Sequence, residues 1–337
     1  MAAGLGDTNA PWLVADIGGT NARFAIYDPT SQPAAVPLAA GRLKTADYPG
    51  PAECTRTFLH AHWKEQPISR AALAIAAPVT GDVVSLTNAD WRFSIQQLRQ
   101  DLALNHLEVI NDFAALAHAL PLLEKDDRVS LGPERPAEKG QPMVVIGPGT
   151  GLGAAAVLPH ENHGWAVVAG EGGHTTAAAR CDREAAVLAH LRRENRHVSY
   201  ERVASGPGLL ELSRAIAEIE GAPFSYRTPA EVAAGARKGD ATCREALALF
   251  QGFLANFAGD MALIIGARGG IYLGGGVLAH LEGLFDPDAF RARMEDKGRF
   301  RDYLERIPLW QLRRQDAAFL GLRRLLSEKA ENDAAAP

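Results

Sequence analysis

Two short stretches carry residue types suited to holding phosphate. VADIGGTNARFAIYD, residues 14–28, runs an apolar segment into Asp16, turns at Gly18-Gly19-Thr20-Asn21 and continues as an alternating run. VVIGPGTGLGAAAVL, residues 144–158, repeats that layout around Gly149-Thr150-Gly151 without the acid. Glycine-rich turns let backbone N–H groups converge on phosphate oxygens, and Thr20 and Thr150 would each add a hydroxyl donor. Neither stretch fits G-x-x-x-x-G-K-[ST], and no Gly-Lys pair occurs anywhere in the 337 residues. GPGTGLG also misses the G-x-G-x-x-G spacing, and it leads into a strand-like AAAVL rather than a helix. Either turn alone reads as a plain tight hairpin. The pair, each with a threonine inside, shifts the reading towards phosphate.

Four further groups have types suited to chemistry. Asp16 lies near the end of an apolar strand, where a carboxylate is costly unless a metal, a water or a donor compensates it. It reads as a turn aspartate capping the following N–H groups or as an acid holding Mg²⁺ through water. Asn111-Asp112 stands where an apolar strand gives way to a helix, and reads as an N-cap pair or as a general base at a strand's carboxyl end. AGEGGH, residues 169–174, hangs Glu171 and His174 on a glycine-rich loop that is either solvated surface or a wrap around a polar ligand. It lacks the H-E-x-x-H spacing of a zinc site. Gly274-Gly275-Gly276 after an apolar strand signals close approach, by a helix or by a flat ligand such as a nucleobase.

The elements that must position these groups can be read from periodicity. Strands are expected at 12–17, 22–27, 71–77, 83–87, 107–110, 143–147, 154–158, 165–169 and 271–273. Helices are expected near 51–63, from Ser94 with a capping-box Gln97, from Asp112 to Pro121, and over 182–195. Leu209, Leu212, Ile216 and Ile219 mark another helix, and Thr228-Pro229-Ala230-Glu231 opens the next. A long helix over 240–266 aligns Phe250, Leu254, Phe257, Met261 and Ile264. Residues 124–142, with three prolines among charges, read as a connection, and ENDAAAP as a frayed end. Strands first, then alternating helices and strands, twice over, imply α/β domains with mixed sheets.

Composition narrows the classes. The length suits two domains, and 47% apolar with 22% charged residues is an ordinary globular profile. A formal charge of −5, with no block of five like charges, argues against a nucleic-acid surface. The N-terminus lacks the pattern of a signal peptide, and no apolar run approaches the ~20 residues of a membrane span. Three scattered cysteines offer no Cys-x-x-Cys pair. A cytoplasmic protein without membrane or nucleic-acid partners is expected.

Taken together, DIGGTNAR (16–23), AIAAPVTGD (74–82), TNADWRFS (87–94), LEVINDFAAL (107–116), GTGLG (149–153), GEGGH (170–174), ERVASGPGL (201–209), GGIYLGGGV (269–277) and EDKGRFRDYLERIP (295–308) resemble the bacterial glucokinase family of the non-repressor type. They occur in family order from about residue 12 to about 328. The resemblance implies a two-domain actin-like (ribonuclease-H-like) ATPase fold with a mixed sheet in each domain and an interdomain cleft. It implies a small domain of residues 12–122 plus about 311–330 and a large one of about 123–310, with tails at 1–11 and 331–337. By carry-over, Asn111, Asp112, Glu171, His174 and Glu201 match the glucose-binding positions, and Asp112 the catalytic base. Asp16 matches the metal-associated acid. Gly18, Gly19, Thr20, Asn21, Gly149, Thr150 and Gly151 match the phosphate turns, and Gly274 and Gly275 the adenosine side. ATP with Mg²⁺, glucose as substrate and a homodimer are implied in the same way. After GEGGH this chain departs from the family, with TTAAA (175–179) and Arg180-Cys181-Asp182, which bears on the shape of the adjoining loop.

The activity so implied is phosphorylation of glucose at its 6-hydroxyl. A broader hexokinase taking mannose or glucosamine, a glucose-sensing protein without turnover, and an actin-like or chaperone-like ATPase stand as alternatives. The set Glu171, His174 and Glu201 argues against the last.

Overall fold

The computed structural model describes residues 10–32, 35–64, 66–86, 90–161 and 164–335, with side chains as far as 331 at the C-terminal end. Residues 1–9 of the expected N-terminal tail, Thr87 to Ala89 of TNADWRFS and the last two residues lie outside the described set. The chain divides into two compact units: residues 1–123, 161–167 and 314–337 form unit 1, and residues 124–160 and 168–313 form unit 2.

Unit 1 begins with β1 (Trp12–Ile17), β2 (Asn21–Tyr27), β3 (Ala39–Lys44) and helix α1 (Pro51–His62). It continues with β4 (Arg70–Ile75), the short pair β5 (Val83–Ser85) and β6 (Arg92–Ser94), α2 (Ile95–Asp101), β7 (His106–Asn111) and α3 (Asp112–Ala119). The main sheet has the order β3-β2-β1-β4-β7. β1 pairs antiparallel with β2 and parallel with β4, which pairs parallel with β7. In that register Ile17, Ile75 and Asn111 lie level, so the first glycine turn and Asn111-Asp112 leave the same edge of the sheet. β1 is apolar on both faces because both are covered. Leu13, Ala15 and Ile17 join the core with Phe58, while Trp12 and Val14 meet Phe319 and Leu322 on the other side.

Unit 2 carries β8 (Arg128–Ser130), β9 (Met143–Pro148), β10 (Leu152–His160) and β11 (Gly164–Gly170), the last beginning in unit 1. There follow α4 (Asp182–Leu191), α5 (Tyr200–Val203), α6 (Gly206–Glu220), α7 (Pro229–Arg237) and α8 (Ala241–Ile265). The unit ends with β12 (Gly270–Leu273), α9 (Gly276–His280), α10 (Pro287–Glu295), α11 (Arg301–Leu304) and β13 (Leu309–Leu312). Its sheet runs β11-β10-β9-β12-β13-β8. β9 and β10 form an antiparallel hairpin and β12 runs parallel to β9, which repeats the layout of unit 1. A final helix, α12 (Ala317–Ala335), returns to unit 1 and continues into the segment whose composition suggested a frayed end.

Four details differ from the sequence reading. The connection 124–142 contains β8, a three-residue edge strand pairing β13, too short to show a period. Ser94 caps α2 through the Gln97 N–H, but the Gln97 side chain binds Asp101 instead of closing a capping box. On α8, Phe250, Leu254 and Phe257 are buried while Ile264 is 75% exposed. A seven-residue apolar repeat drifts ~20° per heptad around a straight helix, and two heptads carry Ile264 off the buried face. α8 is also long and apolar enough to cross a membrane by composition, yet 61% of its apolar window is buried in unit 2.

α12 packs closely on α3. A Cβ at Gly321 would meet the Ala115 carbonyl oxygen at 1.8 Å, so only glycine allows this approach. His118, at the far end of α3, is mostly enclosed, with its Nδ1 3.9 Å from Glu328. Burial, then Arg324 and Lys329, lowers its pKa from 6.5 to about 4. The folded state therefore resists protonating His118, whereas the unfolded chain takes the proton below pH 6.5. As pH falls from 6.5 to 4 the native state loses on the order of 3 kcal/mol through this group. His118→Gln should flatten that part of the stability–pH curve in denaturant titrations. An unchanged slope would show that other groups carry it.

Candidate active site

The first glycine turn is held from below. The Gly18 N–H donates to the Asn21 carbonyl at 2.9 Å, closing the β1–β2 hairpin. Thr45, fully buried just beyond β3, donates its hydroxyl to the Gly18 carbonyl at 2.9 Å and its N–H to the Thr20 carbonyl at 3.1 Å. Nothing in the local pattern around Thr45 had marked it. Thr20 stays exposed. Asp16 pairs in register with Arg23 across the hairpin. Arg23 donates Nε to Asp16 Oδ2 at 3.1 Å, adds a second bond to the same oxygen, and gives Nη1 to the Gln315 carbonyl at 2.8 Å. The charge compensation that Asp16 requires thus comes from Arg23.

At the same sheet edge Asn111 is the N-cap of α3. Its Oδ1 accepts from the Phe113 N–H at 2.8 Å and the Ala114 N–H at 3.3 Å, and its Nδ2 donates to the Ala77 carbonyl at 3.3 Å. The capping reading therefore holds for Asn111, whose remaining capacity is the amide group. Asp112 opens the helix, half-buried, with Oδ1 accepting from the Phe113 N–H at 3.0 Å. The helix N-terminus favours a carboxylate there, and the Gly321 contact fixes the helix that carries it.

In unit 2 the second turn is braced on two sides. The Gly149 N–H donates to the Gly151 carbonyl at 2.8 Å, and the Gly206 N–H donates to the Gly149 carbonyl at 2.9 Å. Gly274 donates its N–H to the Ile146 carbonyl at 2.8 Å. Gly275, at φ 90°, lies so near the turn that a Cβ would be 2.5 Å from the Pro148 carbonyl oxygen. The two glycine segments of unit 2 are therefore neighbours. Thr150 is exposed at the turn's tip.

Glu201, on α5, lies between this turn and the GEGGH loop. Its Oε2 accepts the Leu152 N–H at 3.0 Å, and a Cβ at Gly151 would lie 2.4 Å from that same oxygen. Its Oε1 lies 3.8 Å from His174 Nε2. Glu171 and His174 are both exposed on the loop, whose turn is closed by the His174 N–H donating to the Glu171 carbonyl at 3.0 Å. The segment that departs from the family pattern is held by backbone pairing. Thr175 accepts from the Tyr200 N–H at 2.9 Å, and Ala177 donates to the Val198 carbonyl at 3.0 Å.

The residues have room for phosphate. A Cβ at Gly18 would come no closer than 3.7 Å to another atom, and one at Gly149 no closer than 4.0 Å. Neither place is crowded by the protein's own atoms, so both turns leave open space above their backbone. Among the described residues no group of three or more His, Cys, Asp or Glu side chains could hold a metal. A single carboxylate nevertheless fits Mg²⁺, which keeps several waters and binds substrate phosphates. Both Arg23 bonds fall on Asp16 Oδ2, leaving Oδ1 for such a contact.

The Glucokinase family profile matches residues 13–329. The chain belongs to the glucokinase family. It is 41% identical over 320 residues to the glucokinase of Paramagnetospirillum magneticum, covering 94% of this chain and 97% of that one. It is 44% identical over 322 residues to that of Aromatoleum aromaticum, covering 95% and 96%. Among solved structures, a glucokinase from an Antarctic psychrotroph superposes with a TM-score of 0.83 at 36% identity, covering 94% of this chain and 98% of that one. The mixed sheets flanked by helices are thus the actin-like ATPase arrangement of the glucokinase family.

Proposed function

We propose that this protein transfers the γ-phosphoryl group of ATP to the 6-hydroxyl of D-glucose, releasing glucose 6-phosphate and ADP. The observation that carries the reading is the Glu201 carboxylate, which accepts from the backbone of a glycine–threonine turn and stands 3.8 Å from His174 in a chain of this family. In this reading the turns at 18–21 and at 149–151 are phosphate-binding segments and Gly274-Gly275 the adenosine side, as the family resemblance implies. Asn111 offers its amide group, and Glu171, His174 and Glu201 their polar atoms, to sugar hydroxyls. Asp112 takes the proton from the 6-hydroxyl while that oxygen bonds to the γ-phosphorus and the bond to the ADP oxygen breaks. Phosphoryl transfer asks mainly for positioning and charge stabilisation, which the braced turns supply. Asp16 would hold Mg²⁺ through water, and the ion would neutralise phosphate charge. A cytoplasmic homodimer belongs to the same reading, on family resemblance.

Hydrogen-bonding a set of hydroxyls discriminates sharply, because an epimer covers polar groups of the site and leaves them unpaired. A coupled ADP-release assay across glucose, mannose, fructose, galactose and no sugar should show turnover with glucose well above the rest. Comparable rates with mannose would make the enzyme a broader hexokinase. Glucose binding without ADP release would make it a sensor, and equal rates with and without sugar would sink the kinase reading.

A further inference from the structure

EDKGRFRDYLERIP was recognisable in the sequence without a role, and the structure takes its lysine to the underside of Glu201's helix. Lys297, 13% exposed at its side chain, donates Nζ to Asp260 Oδ1 at 2.5 Å and to the Asn256 carbonyl at 3.3 Å. Asp260 lies on α8, and its Oδ2 accepts the Tyr200 hydroxyl at 2.9 Å. Tyr200 is the residue before Glu201 and is 3% exposed. Its ring packs 5.2 Å from that of Phe257, and Phe257 also lies beneath the sugar loop, 3.2 Å from where a Gly172 Cβ would stand. Lys297 gains its approach to α8 at Gly259, where a Cβ would be 2.8 Å from Lys297 Cε and 2.5 Å from the Met294 carbonyl oxygen.

α5 has only four residues, and a single turn has almost no hydrogen-bond ladder to fix its own orientation. Its placement must come from contacts at its ends. The Tyr200 N–H to the Thr175 carbonyl is one, and Glu201 to the Leu152 N–H is another. Arg202 adds an ion pair to Glu211 on α6, and the Tyr200 hydroxyl supplies a further contact, on an acid that Lys297 neutralises. Burial, and then Asp260, raise the Tyr200 phenol above its ordinary pKa, so it stays protonated and remains a donor.

We propose that Lys297, Asp260 and Tyr200 form a strut that sets the position of the Glu201 carboxylate, and are positioning residues for sugar binding. The strut rests on the proposed role of Glu201 towards glucose. Without the Tyr200 anchor α5 can rotate, the Glu201–Leu152 bond slackens, and the carboxylate drifts from the place where a sugar would meet it. The reacting atoms are untouched.

Tyr200→Phe is the test, because it removes one hydroxyl from a packed ring. Two readouts are needed: amide exchange at Leu152 in the free protein, and separate KM values for glucose and ATP. Leu152 should exchange about ten-fold faster, and the glucose KM should rise by about ten-fold, as loss of one such bond predicts. The ATP KM and the exchange of Val144 to Ile146 in β9 should stay near those of the parent. Lys297→Met should act in the same direction, and Lys297→Arg should restore most of the loss. Unchanged Leu152 exchange in Tyr200→Phe overturns the strut, and so does faster exchange throughout β9 and β10 with both KM values raised together. A parent protein without glucose-dependent ADP release would defeat the kinase reading, while the Leu152 exchange would still decide the strut.

Discussion

Asp112→Ala is expected to lower kcat by about two to four orders of magnitude, the usual contribution of a positioned general base, while the protein still folds. Survival of the fold follows from how α3 is capped. Asn111 Oδ1 already serves the Phe113 and Ala114 N–H groups, so the Phe113 N–H keeps a partner when Asp112 is removed. The lost interaction of a carboxylate with the first helical turn is worth about 0.3–1 kcal/mol. α3 itself is held by α12 at Gly321, remote from its N-terminus. A thermal melt close to that of the parent, with kcat collapsed and the glucose KM changed by far less, is the expected pattern. Asn111→Ala should do the opposite to the melt, because it removes the cap. Near-normal turnover in Asp112→Ala would remove Asp112 as the base.

What the sequence revealed and what it hid follow from the range of the interactions involved. The two hairpins were legible because their strands are short apolar runs ended by glycine turns, a signal that lies within a few residues. The Asp16–Arg23 pair was also within reach. Once Ile17 faces Ala22 across the turn, antiparallel register puts Asp16 opposite Arg23. Thr45 was silent, since its two bonds to the first turn depend on β3 folding back beside β2. Glu201 was silent for the same reason on a larger scale. Its partner, the Leu152 N–H, lies 49 positions away, and α5 is too short to show a period. Resemblance alone singled it out, and only the structure gives it a physical partner. Asn111 shows that a capping role and a proposed ligand role can share one side chain. The oxygen is committed to the helix and the amide nitrogen faces elsewhere.

Gly151→Ala should weaken sugar binding through a single added methyl group. Gly-to-Ala changes often stabilise a protein by about 0.4–1 kcal/mol through the unfolded chain, provided the native site accepts the methyl. At Gly151 it does not, because the new Cβ would stand 2.4 Å from Glu201 Oε2 and 3.3 Å from its Cδ. The carboxylate must swing away, losing the Leu152 N–H and changing its approach to His174. A hydrogen bond to a charged group is worth about 1.5–3 kcal/mol, so the glucose KM should rise by about ten- to a hundred-fold. Gly149→Ala is the internal comparison. Its Cβ meets nothing nearer than 4.0 Å in the protein, so the fold should accept it and the loss should fall on ATP. A double-mutant cycle locates the cause. If the clash with Glu201 is the whole effect, Gly151→Ala adds almost nothing to Glu201→Ala, because the colliding atoms are already gone. Full additivity of the two losses would instead mean that Gly151 is needed for the ligand's own approach to the turn, and that Glu201 reaches the sugar without help from the phosphate turn.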